Sequence, residues 1–184
     1  GSKEPKALVK MGGRPMLVQT LAPFQRLGLA KNAVITIPMD HREAFQNILR
    51  THFQDLPFQL VDGGAERQDS VDNGLAALAP QTEYVIIHDA ARPFVETAAI
   101  QASLKAAREC GAATVAMPCA DTILQAGDGS YLDSTPPRDN LWACQTPQTF
   151  RVDVIREAHA HARKAGFAAT DDATLVRRMG GRVK

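Results

Sequence analysis

The chain has 184 residues, a mass of 19.9 kDa and a formal net charge of +1. This length fits one domain with a small extra element, and the proportions of 45% hydrophobic and 22% charged residues exclude a largely disordered chain. The balance of 21 Lys and Arg against 20 Asp and Glu argues against a nucleic-acid binder that works through bulk charge, but it leaves room for a local basic pocket.

The cysteine count and the apolar runs predict the compartment. Cys110, Cys119 and Cys144 are an odd number without CxxC spacing, so we interpret them as small buried hydrophobic residues in a reducing environment. No apolar run approaches the ~18 residues that a membrane helix needs, and no signal segment opens the sequence. These features predict a cytoplasmic protein that contacts neither membrane nor nucleic acid.

Strands and helices are predicted to alternate along the chain. Four short apolar runs predict strands that are buried on both faces: 33–38, 57–61, 83–87 and 112–117. Between and after them, helical spacing predicts helices over 15–27, from a capping-box pattern at Asp40 and Glu43 onward, and over 69–79, 96–109, 151–165 and 171–179. The alternation predicts a three-layer, doubly wound α/β fold with a mainly parallel sheet, whose ligands bind at the carboxyl ends of the strands.

Residues 119–138 interrupt the alternation. Thr122–Leu124, the turn Gly127–Gly129 and the pair Tyr131–Leu132 predict a β-hairpin with a glycine-containing loop. A two-stranded hairpin is not stable alone, so we expect it to pack on its own domain or to reach a partner subunit.

Two polar clusters follow the predicted strands directly. Asp89 and Arg92 come after the third strand, where they either hold hydroxyl and phosphate groups or form a local ion pair that caps the next helix. His88 beside them is interpreted as a structural hydrogen-bonding residue rather than a base. The second cluster is the turn at Gly63 and Gly64, which either admits a flat ligand to the backbone at a helix start or is an ordinary strand-to-helix turn.

Other polar residues carry little information singly. Lys6 after a proline, Arg138 after two prolines and Thr146 before Pro147 each fit an ordinary surface or turn position. The turn at Gly63 is not a G-x-G-x-x-G fingerprint, so a nicotinamide-dependent dehydrogenase has little support.

The combination of motifs is far more specific than its parts. The chain carries PKAL at 5–8, GGAERQDSVDNGL at 63–75, HDAARPF at 88–94, PRDNLWACQTPQTF at 137–150 and TDDA at 170–173. In this order and spacing they resemble the 2-C-methyl-D-erythritol 4-phosphate cytidylyltransferases of the non-mevalonate isoprenoid pathway. The resemblance covers essentially the whole chain and implies a nucleotidyltransferase-like fold.

The resemblance implies an activity and a role for each matching residue. The enzyme would join CTP to the polyol phosphate and release diphosphate, with Mg²⁺ bound chiefly through the CTP phosphates and no residue assigned as a metal ligand. Lys6 matches a lysine that stabilises the transition state, and Arg138 matches an arginine that positions the attacking phosphate. The remaining matches are nucleotide contacts at Gly64, Ala65 and Ser70, and substrate contacts at Asp89, Arg92, Thr122, Thr146 and Thr170.

The resemblance also implies a homodimer with shared active sites, in which 119–138 is an arm that completes the partner's site. Family members begin with a strand and a glycine-rich loop and continue past the last helix into a further strand. We therefore expect the single domain 1–184 to be part of a longer protein that carries these segments. Two alternatives stay open: a pyrimidine nucleotidyltransferase for another polyol phosphate such as ribitol phosphate, and a non-catalytic nucleotide-binding or dimerisation module.

Overall fold

A computed structural model of the chain describes residues 4–54 and 56–184 and has a mixed α/β fold. The six helices of the described residues are α1 (Met16–Arg26), α2 (Arg42–His52), α3 (Arg67–Ala76), α4 (Thr97–Cys110), α5 (Val152–Ala165) and α6 (Asp172–Arg178). The strands within the same residues are β1 (Lys10–Met11), β2 (Arg14–Pro15), β3 (Val34–Ile37), β4 (Gln59–Asp62), β5 (Tyr84–Ile87), β6 (Ala112–Pro118), β7 (Gln125–Ala126), β8 (Leu132–Ser134) and β9 (Trp142–Arg151). None of the described helices is long and apolar enough to cross a membrane.

The first sheet consists of β3 and β4, which run parallel as predicted. Alternate residues of a strand point to opposite faces, and Ile35 and Ile37 enter one core cluster with side chains of α1 and α2. Thr36, on the opposite face, approaches Gly74 of α3. Parallel pairing therefore arises where the predicted apolar runs alternate with helices.

The second sheet has the order β5–β9–β6, and its central strand β9 is antiparallel to both neighbours. The sequence pattern does not predict β9. Thr146–Gln148 fit a plain turn, because the polar side chains and Pro147 leave no apolar run that would indicate a strand. In the structure Thr146, Gln148 and Thr149 are buried, and hydrogen bonds satisfy their side chains. Both pairings of this sheet are thus antiparallel, because a polar strand is inserted between two apolar ones, whereas the sequence predicts a mainly parallel sheet.

Helices contact both faces of β9. Thr149 Oγ1 and Ser103 Oγ of α4 are 2.8 Å apart. The next residue, Phe150, is fully buried in a second core cluster with side chains of α3, α5 and α6. Lys184 also extends this sheet, since its backbone N–H donates to the carbonyl of Ala112 and its carbonyl accepts from Thr114.

The six predicted helices are confirmed, with shifts of one to three residues at most of their ends. The capping box predicted at Asp40 and Glu43 is wrong: a 3₁₀ turn over Met39–His41 precedes α2, and no side chain caps that helix. A capping box is present instead at α3, between Glu66 and Asp69.

The segment 119–138 is almost entirely exposed. Its strands β7 and β8 pair antiparallel, one to three residues later than the predicted strands, so that Thr122 lies before the pairing begins. Two of the three cysteines contradict the prediction of buried residues. Cys110 ends α4 and Cys144 lies in the exposed half of β9, and both are exposed.

Candidate active site

The loop that follows β5 is held by a closed set of hydrogen bonds. The hydroxyl of Thr146, on β9, accepts from the backbone N–H of Asp89 at 3.2 Å and lies 2.9 Å from Nδ1 of His88. His88 Nε2 lies 3.1 Å from the carbonyl oxygen of Arg92. Because β5 and β9 are neighbours, a side chain of one strand ties down the loop that leaves the other.

These contacts define the protonation of His88. A carbonyl only accepts, so Nε2 carries the proton and donates to Arg92, while Nδ1 accepts from the Thr146 hydroxyl. Burial lowers the pKa of His88 below its ordinary value, which favours this neutral ring. The prediction of a structural hydrogen-bonding role for His88 is confirmed by its partners.

Asp89 and Arg92 form the local ion pair that the sequence allowed. Arg92 Nε donates to Asp89 Oδ2 at 3.2 Å, and its terminal NH1 donates to the side chain of Gln145. About two fifths of the Arg92 side chain and one third of the Asp89 side chain remain exposed. The pair therefore stays accessible to a ligand, and the ion pair does not exclude the binding role.

The same loop is anchored from the N-terminal part of the chain. Thr20 of α1 is buried, and its hydroxyl donates to the carbonyl of Ala90 at 2.8 Å. Leu8, two residues after Lys6, is buried in the core cluster that includes α1. Helix α1 therefore contacts both the segment that carries Lys6 and the loop that carries Asp89.

The glycine-rich turn is built around Ser70. The hydroxyl of Ser70 donates to the carbonyl of Glu66 at 3.1 Å and accepts from the N–H of Gly64 at 3.0 Å. A Cβ atom on Gly64 would lie 2.2 Å from the Cβ of Asp69, and one on Gly63 would lie 3.1 Å from the Ser70 hydroxyl. Close approach to the start of α3 is therefore the reason for glycine here, and Ala65 beside it is exposed.

Arg67, which the sequence analysis does not single out, joins the two clusters. It is the first residue of α3, and its Nε approaches Asp89 Oδ1 at 3.4 Å while its NH1 donates to Asp172 Oδ2 at 2.8 Å. Burial opposes its charge, but the carboxylates of Asp172 and Asp89 outweigh burial and raise the pKa of the guanidinium. The charged cluster at the end of β5 is thus completed by a helix residue that periodicity alone does not mark.

Thr170 lies beside this network. The backbone N–H of its neighbour Ala169 donates to the side chain of Gln68 in α3 at 3.0 Å. Asp171, on the other side, caps α6 by accepting from Thr174 and lies 3.4 Å from Gln148 Nε2. Thr170 is exposed between two anchored residues.

The other predicted site residues stand apart from this pocket. Lys6, Thr122 and Arg138 are exposed, and within the described part of the chain no hydrogen bond or ion pair joins them to Asp89, Arg92 or Thr146. Arg138 instead donates to the carbonyl of Ala120 at 2.7 Å, at the other end of its own segment.

The arrangement can bind hydroxyl and phosphate groups at the Asp89–Arg92 pair and an anion or a flat ring at the turn before α3. Carboxylate and guanidinium groups recognise hydroxyl and phosphate oxygens, and a turn at a helix start admits a flat base or an anion. Among the described residues, no group of three or more His, Cys, Asp or Glu side chains is gathered to hold a metal ion.

Sequence relatives agree with this chemistry. The sequence model of the family described as 2-C-methyl-D-erythritol 4-phosphate cytidylyltransferase (IspD) matches residues 1–184. The protein of that name from Geobacillus kaustophilus is 43% identical over 179 residues, which cover 97% of this chain and 78% of the relative. The protein of that name from Bacillus pumilus is 39% identical over 176 residues, which cover 96% of this chain and 76% of the relative.

Solved structures lead to the same family. The crystal structure of 4-diphosphocytidyl-2C-methyl-D-erythritol synthase from Anaerococcus prevotii superposes with a TM-score of 0.88 at 30% identity, and covers 97% of this chain and 81% of that one. The 2-C-methyl-D-erythritol 4-phosphate cytidylyltransferase from Thermus thermophilus gives 0.81 at 36% identity with the same coverage of both chains. The chain therefore belongs to the 2-C-methyl-D-erythritol 4-phosphate cytidylyltransferase family.

Proposed function

We propose that the chain transfers a cytidylyl group from CTP to 2-C-methyl-D-erythritol 4-phosphate and releases diphosphate. Family membership supports this reaction over transfer to ribitol phosphate and over a non-catalytic binding module. The observation that carries the proposal is the pair of clusters, one at Asp89 and Arg92 and one at Gly64 and Ser70, which Arg67 joins.

The turn at Gly64 is proposed to bind the nucleotide. Gly64 and Ala65 lie on the short connection between β4 and α3, and both are exposed. Ser70, in the first turns of α3, accepts from the N–H of Gly64 and so fixes this connection for a ligand that approaches its exposed backbone. A small pyrimidine fits against such backbone better than a purine, which supports CTP over ATP.

The loop after β5 is proposed to bind the polyol phosphate. Arg92 carries the charge that phosphate recognition needs, and Asp89 accepts from hydroxyl groups. Thr146, on the neighbouring strand β9, orients the loop, and the exposed Thr170 contributes a further hydroxyl beside it. Thr122 is proposed to contact the same substrate from the segment 119–138.

The reaction itself is an in-line displacement. A phosphate oxygen of the polyol phosphate attacks the α-phosphorus of CTP, a new P–O bond forms, and the bond to the diphosphate breaks, so diphosphate leaves with the electron pair. Catalysis then depends mainly on positioning and on charge stabilisation. Lys6 is proposed to stabilise the negative charge of the transition state, and Arg138 to position the attacking phosphate.

Magnesium is proposed to arrive with the nucleotide. Mg²⁺ in nucleotide sites is commonly held by substrate phosphates with one or two carboxylates and several waters. Binding chiefly through the CTP phosphates is the mode in which the nucleotide itself supplies most of the ligands. When bound, the ion would neutralise part of the triphosphate charge.

The finer architecture is proposed as a three-layer, doubly wound fold whose segment 119–138 is a dimerisation arm. Contacts of helices with both faces of β3 and of β9 support the three layers. Large apolar side chains exposed on and beside the arm support burial against a second copy in a homodimer: Met117, Leu124, Tyr131, Leu132 and Trp142. The cytoplasm is the proposed compartment.

The reaction is tested by diphosphate release from the full-length protein with Mg²⁺. We expect diphosphate release with CTP and methylerythritol phosphate. We expect little release when ATP replaces CTP or when ribitol phosphate replaces methylerythritol phosphate. Asp89→Asn should lower kcat/KM, whereas Asp153→Asn, in an exposed Asp–Arg pair with Arg151, serves as the matched control and should not. Equal rates with ribitol phosphate would contradict the assigned substrate.

A further inference from the structure

The mechanism leaves one buried ionic group without a role. The side chains of Asp172, at the start of α6, and of His159, in α5, are each 1% exposed. A carboxylate out of water costs several kcal/mol unless charges and hydrogen bonds compensate it. The partners of Asp172 therefore indicate what holds it there.

The two carboxylate oxygens and the backbone N–H of Asp172 each contact a different element. Oδ2 accepts from Arg67 NH1 at 2.8 Å, and Oδ1 accepts from His159 Nε2 at 3.2 Å. The backbone N–H donates to Gln148 Oε1 at 2.9 Å. Contacts from α3, α5 and β9 thus fix both the position and the rotation of this carboxylate.

Arg67 transmits this position to the site. Its Nε lies 3.4 Å from Asp89 Oδ1, while Arg92 donates to the other oxygen, Oδ2. Asp89 is consequently held at both oxygens, from α3 on one side and from its own loop on the other. Arg67 also follows Glu66, whose carbonyl accepts from the Ser70 hydroxyl of the nucleotide turn.

We propose that Asp172 is a positioning residue of the active site, which acts through Arg67 to orient the substrate-binding carboxylate of Asp89. The inference rests on the proposed role of Asp89. Asp172 itself is buried and touches no ligand. The guanidinium is suited to this task because its planar fork contacts two carboxylates at once, which a lysine ammonium on a flexible stem does not reproduce.

Asp172→Asn is the first variant. The amide offers one acceptor oxygen where the carboxylate offers two, so it no longer presents an acceptor to both Arg67 and His159, and the charge that holds Arg67 is gone. We expect kcat/KM for the polyol phosphate to fall by about 10- to 100-fold, the scale that misplacement of a site group produces.

The decisive measurement is a double-mutant cycle of Asp172→Asn and Arg67→Gln on kcat/KM. If Asp172 acts through Arg67, the Asp172 change should lower activity by less than about twofold once Arg67 is already Gln, because interacting sites are not additive. If Asp172 only supports the fold, the two losses multiply, and this result would overturn the inference.

Arg156→Gln is the matched control. Arg156 of α5 donates to the carbonyl of Leu75 in α3 at 2.7 Å, so it links α5 to α3, the two helices that Asp172 also contacts. Within the described residues, no hydrogen bond or ion pair joins Arg156 to Arg67 or Asp172. We expect this variant to lower the thermal midpoint and to leave kcat/KM within about twofold of wild type, as independent sites do.

Arg67→Lys carries the test if Asp172→Asn does not fold. Lysine keeps the positive charge that the buried Asp172 needs but does not contact both carboxylates. A folded protein with kcat/KM lowered by about tenfold or more supports positioning, on the same scale of misplacement; wild-type kcat/KM overturns it. An inactive wild type would overturn the proposed function and the inference together, whereas an active wild type with multiplying losses overturns the inference alone.

Discussion

The pocket after β5 and the segment 119–138 are built in opposite ways. In the pocket, Asp89 contacts Arg92 of its own loop, Thr146 of β9 and Arg67 of α3, so three parts of the same chain hold it. In the segment, side chains are exposed and the bonds are local, such as the Asp128 carboxylate with the N–H groups of Ser130 and Tyr131.

The difference separates what one copy of the chain can orient by itself from what it cannot. A binding group held by several elements is preorganised before the ligand arrives, which lowers the cost of binding. An exposed strand pair with large apolar side chains, such as Tyr131 at 79% exposure, has little to fix its direction within its own chain. We therefore expect substitutions in the pocket and in the segment to have different consequences.

The largest expected effect is that of removing Lys6, the cation outside the pocket network that is proposed to stabilise the transition state. Lys6→Ala should lower kcat by about 10²- to 10³-fold, the cost of losing one preorganised charge at the transition state. Because the Lys6 side chain is exposed, the thermal midpoint should hardly change. Steady-state diphosphate release and thermal unfolding measure both. Lys10→Ala, at the exposed lysine of β1, is the control, and equal loss in both variants would show a nonspecific charge effect.

One glycine substitution in each region tests whether the turn at Gly64 is preformed. Gly64→Ala places Cβ 2.2 Å from the Cβ of Asp69, so the turn must shift, and we expect CTP affinity to fall by about 10- to 100-fold, the equivalent of 1–3 kcal/mol of overpacking. For Gly127→Ala in the arm, the atom nearest the new Cβ is Asp133 Oδ2 at 2.5 Å, the end of an exposed side chain that can turn away. Calorimetric titration with CTP should give a wild-type affinity for Gly127→Ala, and similar losses in both variants would contradict a preformed turn.

Substitution of an exposed apolar side chain beside the arm tests the proposed homodimer. Trp142→Ser should weaken self-association by about tenfold, because a partly buried aromatic anchor contributes on the order of 1–2 kcal/mol to an interface. Met39→Ser is the control, since Met39 is 69% exposed in a turn far along the chain from the arm. Sedimentation across a concentration series gives both dissociation constants, and an unchanged constant for Trp142→Ser would exclude this surface from the interface.

The smallest effect concerns the pH dependence of the pocket. Burial lowers the pKa of His88 below the ordinary value of 6.5, so the unfolded chain takes up this proton first as the pH falls. The stability that neutral His88 contributes is thus present above pH 6.5 and lost below it, by at most about 1.4 kcal/mol per pH unit.

His88→Gln should flatten this part of the profile, as measured by denaturant unfolding between pH 7 and 5. His161→Gln replaces an exposed histidine of α5 and controls for the loss of one ionisable group. A slope that stays as steep in His88→Gln as in the wild type would show that His88 does not report on the pocket.

The apolar parts of the fold were predictable and the polar ones were not. Runs such as 33–38 and 83–87 mark β3 and β5 because burial on both faces requires continuous apolar residues. Strand β9 escaped prediction because Thr146, Gln148 and Thr149 are buried through hydrogen bonds, which leave no hydrophobic period to detect. The burial of Cys110 and Cys144 was predicted wrongly for a related reason, since residue type alone does not show which part of a helix or strand lies at the surface.

The residues of the candidate site also differ in whether the sequence could predict them. Asp89 and Arg92 were predictable because they directly follow an apolar strand, and the resemblance added Lys6, Arg138 and the threonines. Arg67 and Asp172 were not marked, because their importance comes from a contact between residues 105 positions apart. Only the packing of α3 against the start of α6 brings these two side chains together.

Mixing of two inactive variants tests most directly the claim that each pocket is built by one chain and completed by another. Lys6→Ala and Arg138→Ala subunits are combined under conditions in which subunit exchange is shown independently. If the arm serves the partner's site, one site of each mixed dimer carries both changes and the other carries neither, so roughly half of the normal activity of that dimer returns. If exchange occurs and no activity returns, every site is built within one chain, and the account of the arm is contradicted.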